Sequence, residues 1–285
     1  MKRFKSNVLA STTLAALCAS ASASPIATFT PSALPGSSEL PFQADFIAGT
    51  TSELITETSA TTLSGSGWVQ MIAFTNGGNH VFNTGLDATY QLYLTFTFTD
   101  ALASGTMLGS GSTYSLTNLN FQVYADPGMN TTFTQADAAT NTGATVNGTT
   151  GDDILLGEAA YGGAVNGVAG FDSGGGAYLN ALEGFELCTG NGTATVGAVA
   201  VAAPDCKGNT GRQFFSQPSS FYGMTSSEFN NTAQGVIVNG DSVSITNATG
   251  GIDFRASAVP EPTSLALFGA ALSAWVFLGR RKRQG

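Results

Sequence analysis

The residue types that most often perform catalysis are sparse in this sequence. Histidine occurs once, as His80 after the turn-like residues 76–79, so a zinc site built from several histidines is excluded and an exposed loop residue is predicted. Glu183 and Glu186 resemble the carboxylate pairs of glycoside hydrolysis, but residues three apart on a strand point to opposite faces. No GxSxG elbow and no P-loop occurs. We therefore predict no catalytic residue and no cofactor.

Two adjacent aspartates, Asp152 and Asp153, raise the question of a calcium site. Residues 148–155 read Gly-Thr-Thr-Gly-Asp-Asp-Ile-Leu, a partial match to a calcium-binding nonapeptide repeat. Such repeats bind calcium when several are stacked, and the next nine residues do not match. We expect the two carboxylates to form a turn that opens a strand at Ile154, and we predict no metal site. Whether calcium binds near them is left open by the sequence.

The first 23 residues have the order of a secretory signal peptide. Three basic residues precede an apolar run over residues 8–19, and Ala21 and Ala23 place small side chains where signal peptidase requires them. Cleavage is predicted after Ala23, with Ala21 as the alternative. The chain is therefore expected to be exported.

Cys188 and Cys206 are the two cysteines that remain once the signal peptide is removed. An even pair in an oxidising compartment predicts one disulfide. It would close a loop of 17 intervening residues, worth roughly 3 kcal/mol in the chain-entropy model. The alternative, a metal or redox pair, lacks the close CxxC spacing.

The C-terminal residues 260–285 have three parts. A Pro-Glu-Pro tripeptide is followed by an apolar run over residues 265–278 and then by a basic cluster: Pro260, Glu261 and Pro262, then Arg280, Arg281, Lys282 and Arg283. As a helix, the 14 apolar residues would span about 21 Å, short of the ~30 Å hydrocarbon core. This length predicts a marginal helix that anchors the chain in the inner membrane only transiently, with the basic cluster on the cytoplasmic side.

This tail resembles the PEP-CTERM sorting signal of Gram-negative bacteria over residues 260–283, with all three parts in order. The resemblance implies recognition by an exosortase, a membrane cysteine protease that removes the tail near the Pro-Glu-Pro motif. It implies nothing about a ligand of the preceding body.

The body, residues 24–259, is predicted to be one all-β domain. Period-two alternation puts Leu92, Leu94, Phe96 and Phe98 on one face of a strand with threonines on the other, and residues 119–125 alternate similarly. Asn-Gly at residues 239–240 between two apolar runs predicts a hairpin. Eight to twelve such strands favour an antiparallel, jelly-roll-like β-sandwich. The Thr- and Gly-rich residues 131–151 and 162–176 are predicted loops.

The body is strongly acidic. It has three basic residues against 18 carboxylates, a net charge of −15. A surface of this sign repels phosphate backbones, so nucleic acid is excluded as a partner.

Several stretches of the body are similar to the flocculation-associated PEP-CTERM proteins of floc-forming bacteria: residues 41–49, 174–180, 214–218, 228–232 and 251–254. This resemblance spans about residues 41–262. It implies a cell-surface or matrix protein that promotes flocculation with extracellular polysaccharide, and it assigns no catalytic or ligand residue. The alternatives from the composition are a lectin-like module with one sugar site and a secreted hydrolase.

Overall fold

The computed structural model of the chain describes residues 27–148, 152–159, 166–171, 176–182, 185–187, 194–196, 199–201, 213–217, 226–227 and 235–253. The predicted signal peptide with Ala21 and Ala23, the sorting tail, Cys188 and Cys206 all lie outside these residues. Within them, no helix is long and apolar enough to cross a membrane. The described body is built of strands with one 3₁₀ turn at Pro31–Ala33.

The described part of the chain contains nineteen strands, more than the eight to twelve predicted. They are β1 (Ala27–Phe29), β2 (Phe42–Ala44), β3 (Phe46–Ser59), β4 (Thr62–Asn76), β5 (Asn79–His80), β6 (Gln91–Ser104), β7 (Thr113–Asp126), β8 (Thr132–Thr134), β9 (Thr145–Asn147), β10 (Ile154–Ala159), β11 (Asn166–Phe171), β12 (Ala177–Leu182), β13 (Phe185–Leu187), β14 (Ala194–Val196), β15 (Val199–Val201), β16 (Phe215–Gln217), β17 (Ser226–Ser227), β18 (Val236–Asn239) and β19 (Ser242–Asp253).

Twelve of these strands form one large sheet in the order β17-β12-β11-β7-β6-β4-β3-β19-β18, with β5 paired to β4 and β10 paired to both β7 and β13. All its pairings are antiparallel. The all-β antiparallel prediction is confirmed. The predicted hairpin at Asn239 is also confirmed, because β18 and β19 pair around Gly240, whose φ is 63°.

The inner face of the large sheet carries the main core. The predicted inward residues of β6, Leu92 to Phe98, are buried at alternate positions, because successive strand side chains point to opposite faces. Strands β11 and β12 add Phe171 and Ala177 to this core, and β17 contacts β19. The sheet therefore curls over its own core and the architecture is sandwich-like.

A small three-stranded sheet, β16-β1-β2, closes one end of the core with aromatic rings. Phe29 is fully buried and packs against Phe42, Phe74, Phe214 and Phe215, with ring centroids between 4.9 and 6.0 Å away. Tilted and edge-to-face pairs of this kind add to the free energy of burial. The cluster joins the start of the described chain to residues almost 190 positions later.

Part of the outer face is covered by residues 131–147, which the sequence predicted as a loop. They form the hairpin β8–β9. The indole N–H of Trp68 donates to the carbonyl oxygen of Thr134 at 2.9 Å, and Phe133 packs on Trp68 at 4.9 Å. Ser52 fastens this cover to the sheet, since its hydroxyl accepts the N–H of Ala136 at 2.9 Å and donates to the carbonyl of Ile245 at 3.0 Å.

Candidate functional site

An open cleft of about 600 Å³ lies on the outer face of the large sheet, beside the hairpin β8–β9. Its floor is formed by Ser66, Thr95 and Thr97, one end by Tyr124 and Asp153, and one side by residues 144–146. This volume is within the range of ligand-binding pockets, which runs from about 300 to 1,000 Å³.

The polar floor follows from the alternation of β6. Phe96 and Phe98 point into the core, so Thr95 and Thr97 must point outward. Ser66 of β4 is paired with Thr97 of β6 in the register. Their hydroxyls therefore lie on neighbouring strands, and these strands are about 4.8 Å apart. No hydrogen bond within the described ranges uses the hydroxyls of Ser66, Thr95 or Thr97, so they are available to a ligand.

The end wall of the cleft is held by a stacked pair of tyrosines. The rings of Tyr93 and Tyr124 lie 5.1 Å apart at an interplanar angle of 16°. The Tyr93 hydroxyl donates to the Asp153 carboxylate at 3.0 Å, and the Tyr124 hydroxyl donates to Gln122 at 2.9 Å. Burial, as the largest cause, raises the pKa of both tyrosines and of Asp153. The tyrosines therefore stay neutral hydrogen-bond donors.

Three carboxylates lie close together behind this wall. Oxygens of Asp126, Asp152 and Asp153 are within 4.8 Å of one another. The buried Asp126 carboxylate accepts three backbone N–H groups from residues 129–131, at 2.8 to 2.9 Å. Asp153 accepts two hydroxyls, and Asp152 accepts the side-chain amide of Asn130. The bonds to Asp126 organise the turn that follows β7, and those to Asp152 and Asp153 connect this turn to the start of β10. The predicted turn formed by Asp152 and Asp153 themselves is not seen, because neither residue lies in a turn in the described chain.

A second acidic pair, Glu53 and Asp100, lies inside the core. Each residue is 1% exposed, and both border a small cavity of about 20 Å³ whose other lining side chains are Tyr114 and apolar residues. One oxygen of each carboxyl group has no hydrogen-bond partner among the residues that the structure describes. Burial, followed by the charge of Asp100, raises the pKa of Glu53 to about 8, and burial raises the pKa of Asp100 to about 7.

Two glycines of β4 make room for Glu53 and for Phe98. A Cβ at Gly67 would clash with the carbonyl oxygen of Ser52 and with the side chain of Glu53, and one at Gly65 would clash with the ring of Phe98. Because Gly65 and Gly67 have no side chain, the side chains of Glu53 of β3 and Phe98 of β6 can extend over β4.

Glu53 and Asp100 were not predicted from the sequence, although a signal was present. Asp100 occupies the next inward position after Phe96 and Phe98, and Glu53 occupies the inward position before Ile55. A carboxyl group at a position that the alternation of a strand directs into the core predicts a buried acid.

The residues considered as catalytic candidates in the sequence do not lie together in the described part of the chain. His80 is exposed, as predicted, with its ring 4.5 Å from that of Phe82. Glu186 lies in β13, and Glu183 lies outside the described residues. The sorting residues Pro260 to Pro262 and Arg280 to Arg283 are outside them as well.

Comparison with known families identifies the C-terminal tail. Residues 258–283 match the family model of the PEP-CTERM protein-sorting motif. The chain therefore belongs to the class of exported proteins that an exosortase processes and that are sorted to the cell surface. It is a PEP-CTERM protein. No curated protein and no solved structure matches the chain.

Proposed function

We propose that this PEP-CTERM protein promotes cell aggregation by holding cells and extracellular polysaccharide together, without catalysis. The observation that carries the proposal is the sorting motif at residues 258–283, which directs the body to the surface, where the polymer is. Signal peptidase and an exosortase act on the two ends, and the apolar run 265–278 anchors the chain in the inner membrane only until the tail is cut.

The body supports an adhesive role through its surface chemistry. The outer face of β4, β6 and β7 presents serine, threonine and asparagine side chains in register: Ser64, Ser66, Thr97, Thr99, Asn118 and Asn120. Hydroxyl and amide groups both donate and accept hydrogen bonds, as the hydroxyls of a polysaccharide do. The resemblance of residues 41–262 to flocculation-associated proteins agrees with this role.

The positions of three of the described carboxylates support a non-catalytic role. Glu53 and Asp100 are closed off from solvent, and Asp126 is committed to backbone N–H groups. A general acid or base must reach the proton that it transfers. The second candidate function, a carbohydrate-binding module with one defined sugar site, is favoured by the cleft beside β9.

Deleting the gene tests the proposal. We expect dispersed cells that synthesise polymer normally but release it into the medium, because the protein is proposed to retain polymer, not to make it. The measurements are settling rate, total polymer yield and the fraction of polymer that sediments with the cells. Re-expression of the gene in the deletion strain is the control.

Either of two results would refute this role. In a strain without a second copy of the gene, unchanged settling and retention would show that the protein does not aggregate cells. Loss of polymer synthesis itself would indicate an enzyme or a regulator instead.

The mature protein is expected to lack both ends. Intact-mass measurement of the protein released by the native host should fit a chain that begins near Ser24 and ends near Val259, since cleavage is predicted after Ala23 and near Pro260. Reducing the sample should add about two mass units if Cys188 and Cys206 are paired. Recovery of an exported form that still carries the basic residues 280–283 would contradict processing of the tail.

A further inference from the structure

We infer that the cleft on the outer face binds a neutral polysaccharide chain through the hydroxyls of Ser66, Thr95 and Thr97. The inference rests on the proposed function and deepens it, since it names the surface and the class of polymer that this surface takes. It concerns the cleft bordered by Tyr124, Asp153 and residues 144–146, about 600 Å³ in volume.

The floor matches an extended polymer. Thr95 and Thr97 are two residues apart on one strand, so their side chains repeat every ~6.8 Å along β6. Ser66 lies beside Thr97 on the neighbouring strand, directly opposite it in the register. Since the three hydroxyls have no partner in the described chain, binding a sugar hydroxyl breaks no internal bond. A polymer along β6 therefore meets a repeating row of donors and acceptors.

The walls suit the other surface of a sugar, its apolar C–H groups. Ala144 and Val146 are half-buried and form one side of the cleft, while the half-buried Tyr124 ring forms its end. Tyr124 is fixed by its stacking on Tyr93, so little side-chain entropy is lost when a ligand contacts it. Polar floor and apolar walls together match a ring that is polar at its rim and apolar on its faces.

The charges of the cleft select a neutral polymer over an acidic one. Among the described residues that line the cleft, Asp153 is the only charged one, and Asp126 and Asp152 lie close behind it. Lys and Arg do not occur in any described range, so the described surface offers no side-chain cation other than a protonated His80 to pair with a polymer carboxylate. Like charges repel, whereas a neutral hydroxyl can donate to the Asp153 carboxylate.

The test uses the exported protein and the polymer of its own host. Polymer stripped from cells is separated by anion exchange into neutral and acidic fractions, and retardation of the protein is measured in gels that contain each fraction. We expect the wild-type protein to be retarded by the neutral fraction. The double variant Ser66→Ala/Thr97→Val, which loses two hydroxyls, should bind about tenfold more weakly.

Two matched variants separate lost chemistry from lost folding. Thr97→Ser keeps a hydroxyl at the same position and should bind as wild type does. Ser115→Ala removes an exposed serine of β7 outside the cleft and should also leave binding unchanged. The thermal midpoint of each variant is measured first, and binding is compared only among variants whose midpoint equals that of the wild type. A weakened fold is then not mistaken for a lost contact.

Three results overturn the inference: undiminished binding by the double variant, stronger retardation by the acidic fraction, or no retardation of the wild type by either fraction. These results are distinguishable from failure of the proposed function. If deletion leaves aggregation unchanged, the adhesive role fails whatever the cleft binds. If deletion disperses the cells but the double variant still binds, the adhesive role stands and the polymer binds elsewhere.

Discussion

The body is expected to lose stability as the pH rises from 6 to 8, with Glu53 and Asp100 as the cause. Burial raises the pKa of Glu53 from 4.5 to about 8 and that of Asp100 from 3.8 to about 7. In the unfolded chain both groups ionise near their ordinary values. Between the unfolded and folded values, the folded state therefore holds more protons, and the free energy of unfolding falls as the pH rises.

The size and the window follow from the same shifts. Each group lowers the free energy of unfolding by up to about 1.4 kcal/mol per pH unit between its unfolded and folded pKa, and the loss is complete above the folded value. The stability that the protonated pair contributes is fully present below about pH 4. Carboxyl groups with ordinary pKa values have finished ionising by about pH 6, so we assign the decline from pH 6 to 8 to the buried pair.

The measurement is the thermal midpoint of the exported protein between pH 5 and 9, followed by the fluorescence of Trp68, which is 4% exposed. Glu53→Gln and Asp100→Asn remove the ionisation and keep the shape, so each should reduce the decline and the double variant should nearly abolish it. Glu57→Gln, in the same strand β3 but outside the core, is the control and should behave as wild type. An unchanged decline in the double variant would contradict the assignment.

Replacing Phe29 by alanine is expected to destabilise the domain by about 3–5 kcal/mol. Phe29 is 0% exposed and contacts four other aromatic rings, so alanine leaves a cavity that neighbouring residues cannot close. The loss is a large part of the ~5–15 kcal/mol that stabilises a typical domain. Urea unfolding of the exported protein measures it as a shift of midpoint at constant slope.

Phe82 offers the matched control. Its side chain is 74% exposed, so Phe82→Ala removes the same atoms from the surface and should change the free energy of unfolding by less than ~0.5 kcal/mol. If Phe29→Ala also costs less than about 1 kcal/mol, the small sheet does not close the core in the way the structure indicates.

Local patterns were sufficient to predict strands within β6 and β7 and the hairpin β18–β19. In β6, the alternation of Thr95 and Thr97 with Phe96 and Phe98 set both the inward face and the floor of the cleft. The Asn239-Gly240 turn predicted the β18–β19 hairpin for a similarly local reason, since Gly240 supplies the positive φ that the turn needs. These features depend on residues a few positions apart.

The rest depends on distant contacts. Ser52 bonds to Ala136 and Ile245, which are 84 and 193 positions away, and no local pattern contains that information. Strands of two or three residues, such as β5 and β8, are too short to show a period, which explains the undercount of strands. Residues 131–147, which cover Trp68, were predicted as a loop because their Thr- and Asn-rich composition resembles that of a loop.

The position of β19 has a consequence for translocation. β19 is inserted between β3 and β18 and ends at Asp253, so β3 gains its second neighbour only after almost the entire body has crossed the membrane. In a chain that crosses as an extended polypeptide, the large sheet therefore closes late. Only six residues, 254–259, separate Asp253 from Pro260, so the link between them is at most about 25 Å long. A tail that anchors the chain, as proposed above, would hold the finished domain within that distance of the cleavage motif.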